Sequence, residues 1–229
     1  MKKINPETKK EYLRYLSRTE LGQVLNPKEC EVISTQLRFK KVAKGQNLIN
    51  QYDDRNYAFF LKEGFLKLDS FDDAEELAYT TFLCPDRLFP LRGMFADSYY
   101  CYTATALSEV VVAYVTTEIF EGLLESNHHF SLLIIKQLQK AMAERETFIQ
   151  KTVTSSAKIR VRQLLGILNE RYSVVCDGEK KIPFPLPIKE IARIGGTTRE
   201  TASQVIHELD IEQKLRYSRK YLSFPQYLS

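Results

Sequence analysis

Arg199, Glu200, Ser203 and Gln204 fall within one six-residue stretch, and each carries a group that can tell one base pair from another. An arginine fork donates two parallel hydrogen bonds to guanine O6 and N7, and a carboxylate accepts from cytosine N4. A glutamine amide matches adenine, and a serine hydroxyl adapts to either kind of partner. Thr197, Thr198 and Thr201 stand beside them with hydroxyls and amides of the kind that receive phosphate at a helix N-terminus. Lys189 on one side and Ser218-Arg219-Lys220 on the other supply further phosphate partners. The chemistry these residues suit is reading a DNA major groove.

Such groups work only if something rigid holds them on one face. Ile188 to Leu209 reads as two helices around a tight glycine turn. At 100° per residue, Ala202, Val205, Ile206 and Leu209 gather on one side of the second helix, with Arg199, Glu200, Ser203, Gln204 and His207 opposite. Ile188, Ile191 and Ala192 form the inner face of the first helix. Gly195-Gly196 can take the positive φ that leaves it abruptly, and Thr198 is placed to cap the second. An ordinary helical hairpin inside a larger core is the plainer alternative, but it has no need of Arg-Glu on the first exposed turn.

Gly196, with Thr198-Arg199-Glu200-Thr201-Ala202-Ser203-Gln204, resembles the recognition helix of the cyclic-AMP receptor/fumarate–nitrate reductase regulator (CRP/FNR) family. That family's usual pattern is Gly-x-Ser/Thr-Arg-Glu-Thr-x-Ser/Gly-Arg. The resemblance implies that Arg199 and Glu200 read bases in a half-site, with Ser203 and Gln204 one turn further in. Gln204 departs from the family's usual second arginine, so the expected half-site differs from the commonest one at one position. The resemblance also implies an α+β chain: an N-terminal double-stranded β-roll of the cyclic-nucleotide-binding type, a long dimerisation helix, and a C-terminal winged helix-turn-helix.

Composition agrees with two modest domains. The chain has 229 residues, 44% of them hydrophobic and 27% charged. It has no apolar run of about 18 residues, the length of a membrane span, and no apolar core behind its basic N-terminus, so the expectation is a cytoplasmic protein without a membrane partner. The net charge of +4 is uneven: from residue 151 onward 14 Lys/Arg face 8 Asp/Glu, whereas residues 1–150 are net negative. The positive end is the one that carries the reading helix, as backbone phosphates reward. Cys30, Cys84, Cys101 and Cys176 form no CxxC pair. His128 and His129 are adjacent, so on a helix they diverge by about 100°. No metal and no cofactor is expected.

Residues 7–37 read as partly helical, through Tyr12, Leu13 and Leu16 and then Cys30, Ile33 and Leu37. Between residues 38 and 117, short runs rich in Tyr, Phe, Val and Thr alternate with turn residues. The spacing predicts strands at Arg38–Val42, Asn47–Gln51, Tyr57–Lys62, Phe65–Asp69, Leu77–Leu83, Tyr100–Leu107 and Val110–Val115, closed into a small antiparallel roll or barrel. Glu63-Gly64-Phe65-Leu66-Lys67-Leu68 fits the family's Gly-x-Val/Leu-x-Val/Leu strand. The family's nucleotide-holding residues are missing. Pro90-Leu91 stand where Gly-Glu would, and no arginine precedes Ala104-Thr105-Ala106. Arg87 and Arg92 lie nearby, yet the simpler reading is that cyclic AMP is not the effector, whose identity stays unknown. Tyr99, Tyr100 and Tyr102 are expected to fill the roll or its rim. Leu88-Phe89-Pro90-Leu91-Arg92-Gly93-Met94-Phe95 looks similar to the Gram-positive branch that includes regulators of the arginine deiminase pathway.

A long helix is expected over 118–152, with Phe120, Leu123 and Leu124 beginning it or forming a helix just before it. Ile135, Leu138, Met142, Arg145 and Ile149 alternate by three and four residues, a coiled-coil seam with one charged break that predicts a parallel homodimer. A monomer could bury the same stripe on its own roll, the side where Leu133, Ile134 and Phe148 are expected. Thr152–Ser156 reads as a hinge, with Ser155 or Ser156 capping the next helix, which runs to Tyr172. Arg160 matches the family's usual arginine early in that helix. A weak hairpin follows at Val174–Val175 and Lys181–Phe184, turned at Asp177-Gly178. A wing follows the reading helix, with strands Lys214–Tyr217 and Tyr221–Phe224. The expected division is residues 1–125, 126–152 and 153–229.

Two function classes emerge. One is a dimeric regulator that reads an inverted-repeat operator in double-stranded DNA and then recruits or blocks RNA polymerase. The other is a cupin-like barrel enzyme or ligand-binding protein with a helical appendage. The second needs clustered ligands or a nucleophile with a base, and residues 38–117 contain no histidine.

Overall fold

The computed structural model describes residues 6–72, 77–176 and 178–225. They fall into two compact units divided between Lys140 and Ala141.

The first unit opens with α1 (Pro6–Arg18), α2 (Glu20–Gln23) and α3 (Pro27–Gln36). Local chemistry sets their ends. The Thr19 hydroxyl accepts from the Gly22 amide at 3.4 Å to start α2. Asn26 and Glu29 form a reciprocal capping box before α3, with Pro27 at a position where a missing amide is harmless. Eight strands follow: β1 (Arg38–Val42), β2 (Asn47–Ile49), β3 (Tyr57–Glu63), β4 (Leu66–Phe71), β5 (Leu77–Leu83), β6 (Arg87–Phe89), β7 (Thr103–Ala106) and β8 (Val110–Thr116). They form two antiparallel four-stranded sheets in the orders β1-β8-β3-β6 and β2-β7-β4-β5. This is a double-stranded β-roll. Gly64 (φ +85°) turns β3 into β4, and a Cβ there would lie 2.2 Å from the Glu109 carbonyl oxygen, so only glycine fits.

The roll has two cores. Inside, Phe59, Leu61, Val112 and Tyr114 of the first sheet meet Leu66, Leu68, Ala104 and Ala106 of the second. On the outer face of the first sheet, Ala58, Phe60, Ala113 and Val115 pack beneath helices. Strands β3 and β8 are therefore buried on both faces, which is why they read as unbroken apolar runs.

The covering helices include α4 (Thr117–Ser126) and the start of α5 (His128–Thr152). The long helix expected over 118–152 is thus two helices, and Phe120, Leu123 and Leu124 belong to the separate helix just before it, the second of the two arrangements the sequence allows. Asn127 makes the break: its Oδ1 accepts from the Phe130 amide at 2.9 Å, and its Nδ2 donates to the Val24 carbonyl and to Glu29 Oε2. The expected strand Tyr100–Leu107 begins only at Thr103, because Tyr100 bonds through its backbone to Tyr52 and Asp53 instead of the ladder. The expected Asn47–Gln51 ends at Ile49, and β6 was not foreseen.

The second unit contains α6 (Ala157–Tyr172), β9 (Val174–Cys176), β10 (Glu179–Lys181), α7 (Ile188–Ile194), α8 (Arg199–Ile211), β11 (Arg216–Ser218) and β12 (Tyr221–Phe224). It is a winged helix-turn-helix whose sheet runs β11-β12-β10-β9. Ser156 caps α6. The expected strand Lys181–Phe184 stops at Lys181 because Pro183, Pro185 and Pro187 remove every second donor. The residues between them still bury their side chains: Ile182, Phe184 and Leu186 are each 1% exposed or less. The Ile182 and Leu186 amides donate to the Leu222 and Lys220 carbonyls. Gly178 takes a positive φ in the hairpin turn, while its expected partner Asp177 lies outside the described residues. The first wing strand begins at Arg216 and not at Lys214, because the Lys214 and Leu215 amides both donate back to the Leu209 carbonyl.

Candidate nucleic-acid interface

The turn between α7 and α8 is built by one glycine rather than two. Gly195 has φ −80°, and only Gly196 is left-handed, at +57°. The Gly196 amide donates to Arg193 and the Thr197 amide to Ala192, the paired bonds that end a helix in a Schellman motif. The Thr197 amide, expected to point outward, is therefore already used. The Thr198 hydroxyl accepts from the Thr201 amide at 3.2 Å and caps α8, so it too is engaged. Such a cap stabilises by about 1 kcal/mol.

Along α8, Ala202, Val205, Ile206 and Leu209 are buried, whereas Arg199, Glu200, Ser203, Gln204 and His207 are exposed. Glu200 accepts from its own amide and then from the Thr198 hydroxyl, and these bonds hold its carboxyl below the usual carboxylate range. The carboxylate stays ionised and oriented on the outer edge of the helix start, where negative charge is favoured.

The second unit sorts its cations. Lys151, Lys158, Arg162, Lys181, Arg193, Lys214 and Arg216 form ion pairs. Arg160 and Arg171 are held by backbone carbonyls. The side chains of Lys180, Lys189, Arg199, Arg219 and Lys220 make no hydrogen bond or ion pair with any described residue, and all five residues are exposed. Four of these five are residues that the sequence nominates for DNA. Lys180, on β10, is the one it missed. The wing tip is a two-residue turn in which Arg219 (φ +51°) and Lys220 (φ +73°) are both left-handed, between the paired Ser218 and Tyr221. Asn-Gly is the undemanding sequence for such a turn, and two cations there cost backbone strain.

Supporting residues hold this surface from behind. The Arg160 guanidinium donates to the Thr154 and Ser155 carbonyls at 2.7 and 3.3 Å and to the Gly195 and Gly196 carbonyls at 3.1 and 3.0 Å. Lys158 and Arg162, one turn apart on α6, pair with Glu208 and Glu212, one turn apart at the end of α8. The matching four-residue spacings are visible in the sequence, but the pairing of the two helices is not.

In the first unit, the space inside the roll is filled by rings. Phe89 stacks on Phe59 at 5.4 Å, and Tyr114 lies 5.8 Å from Phe59. Tyr100 is buried, and its hydroxyl bonds the backbone of Tyr57 at 3.1 Å in both directions. Tyr102 packs at the edge of that core, and Tyr99 is exposed. Leu91 leans into the outer core instead, and Arg92 is exposed. Sequence reading missed Arg55, buried with its Nη1 2.7 Å from Glu121 Oε1. Burial would raise the Glu121 pKa, but the Phe95 amide and Arg55 outweigh it and hold the carboxyl low. This pair ties the 90–99 segment to α4. Among the described residues no three His, Cys, Asp or Glu side chains converge on a possible metal position.

On α5, Ile135, Met142 and Ile149 are 57%, 60% and 57% exposed at seven-residue intervals. Leu138 is half-buried at the edge of the outer core, and Arg145 is exposed. Ile134 is buried, and Leu133 and Phe148 are half-buried.

A β-roll, a long helix and a winged helix-turn-helix whose second helix turns a polar face to solvent make up the described fold. Residues 39–127 match the cyclic nucleotide-binding domain. The chain is 22% identical over 176 residues to the HTH-type transcriptional regulator ArcR of Staphylococcus haemolyticus, an alignment that spans 77% of each protein. Its fold is similar to the c-di-GMP responsive global regulator CLP of Xanthomonas campestris (TM-score 0.69, 14% identity, 88% of this chain and 100% of that one). It is also similar to a CRP-family transcription regulator of Thermus thermophilus (TM-score 0.63, 18% identity, 82% and 92%). These relatives and solved structures support a regulator of the CRP/FNR type. The enzyme alternative finds no support among these relatives.

Proposed function

We propose that the protein acts as a cytoplasmic homodimer that binds an inverted-repeat operator in double-stranded DNA, placing one α8 per subunit in successive major grooves. Arg199, Glu200, Ser203 and Gln204 read base edges. Lys189, Ser218, Arg219 and Lys220 hold backbone phosphates, joined by the hydroxyls of Thr197, Thr198 and Thr201 and by Lys180. Residues 126–152 serve as the dimerisation helix through Ile135, Leu138, Met142, Arg145 and Ile149, between a sensor-like region over 1–125 and a DNA-binding region over 153–229. Contacts with RNA polymerase at the promoter convert binding into regulation. Cyclic AMP does not control it, because aromatic rings occupy the roll interior and Pro90-Leu91 replace the residues that would hold ribose.

The observation that carries this reading is the division of cations: in the second unit, the side chains left without partners among the described residues are Arg199 at the start of α8, Arg219 and Lys220 at the wing tip, Lys189 on α7 and Lys180 on β10, four of them in the helix-turn-helix and wing. Selection from random duplex DNA tests it. The expected product is an inverted repeat with half-sites about one helical turn apart. Arg199→Ala should weaken the selected site by about 1–3 kcal/mol and relax preference at one position. Equal losses on selected and random DNA would reduce Arg199 to a phosphate contact.

A further inference from the structure

The outer core of the roll contains an apolar pocket of about 80 Å³, partly open to solvent. Its floor is a dent in the sheet. In the paired residues Ala58↔Val115 and Phe60↔Ala113, one partner of each pair is an alanine. Its roof comes from α1 to α4 and the first turn of α5, with Leu16, Leu25, Ile33, Phe120 and Phe130 among the lining residues. The lining side chains are hydrocarbon except that of Tyr114, whose ring belongs to the inner core.

Protein interiors are normally packed to crystal density. A water molecule needs two to four polar partners, so these walls hold water poorly, whereas an apolar guest loses nothing against them. We propose that this pocket is a binding site for a small hydrocarbon group, aromatic or branched aliphatic, recognised by shape and dispersion alone. It lies on the opposite side of the sheet from the filled roll interior, so the guest shares nothing with a cyclic nucleotide. The volume, about half that of the roughly 150 Å³ engineered cavity that takes up benzene, suits a small group of about four to six carbons. Because the roof is made of short helices, occupancy stiffens α1 to α3.

Thermal unfolding of the full chain with and without benzene tests the site. At tenfold the Kd, the melting temperature of the first unit should rise by about 3–6 °C. Amide exchange should slow over residues 13–37 but not in the second unit. Ala113→Leu fills the dent, and should abolish the benzene response while leaving the ligand-free melting temperature equal or higher. If that side chain overfills and the variant melts early, Ala58→Val makes a smaller fill, and the response should shrink by at least half. No shift in the parent protein near benzene saturation would overturn the proposal. So would a shift that persists undiminished in both variants, since the guest would then bind elsewhere.

Discussion

Two helices present opposite kinds of surface. Helix α5 exposes Ile135, Met142 and Ile149, apolar groups that gain nothing from water. Helix α8 exposes Arg199, Glu200, Ser203 and Gln204, which water satisfies fully. An apolar stripe at heptad spacing calls for a partner that excludes water, and a second copy of the same helix is the partner whose shape matches by symmetry. A polar face is at ease alone, so its partner must offer hydrogen bonds of fixed pattern as good as those of water. On the proposed function, the difference separates the permanent contact from the selective one.

The largest expected effect comes from breaking the permanent contact. Met142→Asp with Ile149→Asp should give a monomer by sedimentation. Because an operator grips both reading heads at once, affinity for it should fall at least a hundredfold. A monomer that kept full affinity would detach dimerisation from function. Next in size is a change of selectivity: Gln204→Arg should move the preferred base at one half-site position from adenine to guanine, by about 1–3 kcal/mol, read by repeating the selection. Smaller still is Lys220→Ala, expected to lower the slope of log affinity against log salt by about one for each subunit while leaving the selected sequence unchanged. At the end of the scale, cyclic AMP at concentrations that saturate a true binder should leave the melting temperature unmoved, and a saturable rise would reopen the roll interior.

Sequence revealed most where structure is local. The face of α8, its Thr198 cap, the Ser156 cap and the strands Arg38–Val42 and Leu77–Leu83 rest on periodicities and caps that a short window contains. It failed where a distant residue decides. The residue pattern leaves open whether Phe120, Leu123 and Leu124 begin the long helix or form one just before it, and Asn127 decides for the second because it finds Val24 and Glu29 about a hundred residues away. Strand β6 is three residues long and acquires its identity from pairing with β3. In the proposed binding face, residue types nominated Arg199 and Lys220. The clamp made by Arg160 and the braces from Glu208 and Glu212 depend on packing between α6 and α8, and Lys180 becomes visible only when every other cation has been accounted for.

Arg160 ends two chain segments in one flat, stiff group. Its nitrogens grip Thr154 and Ser155 on one side and Gly195 and Gly196 on the other. Twisting the chain just after α5 therefore drags on the peptide planes from which the reading helix springs, as a crank moves its wheel. A lysine, with one round head on a flexible stem, would let the two slip past each other.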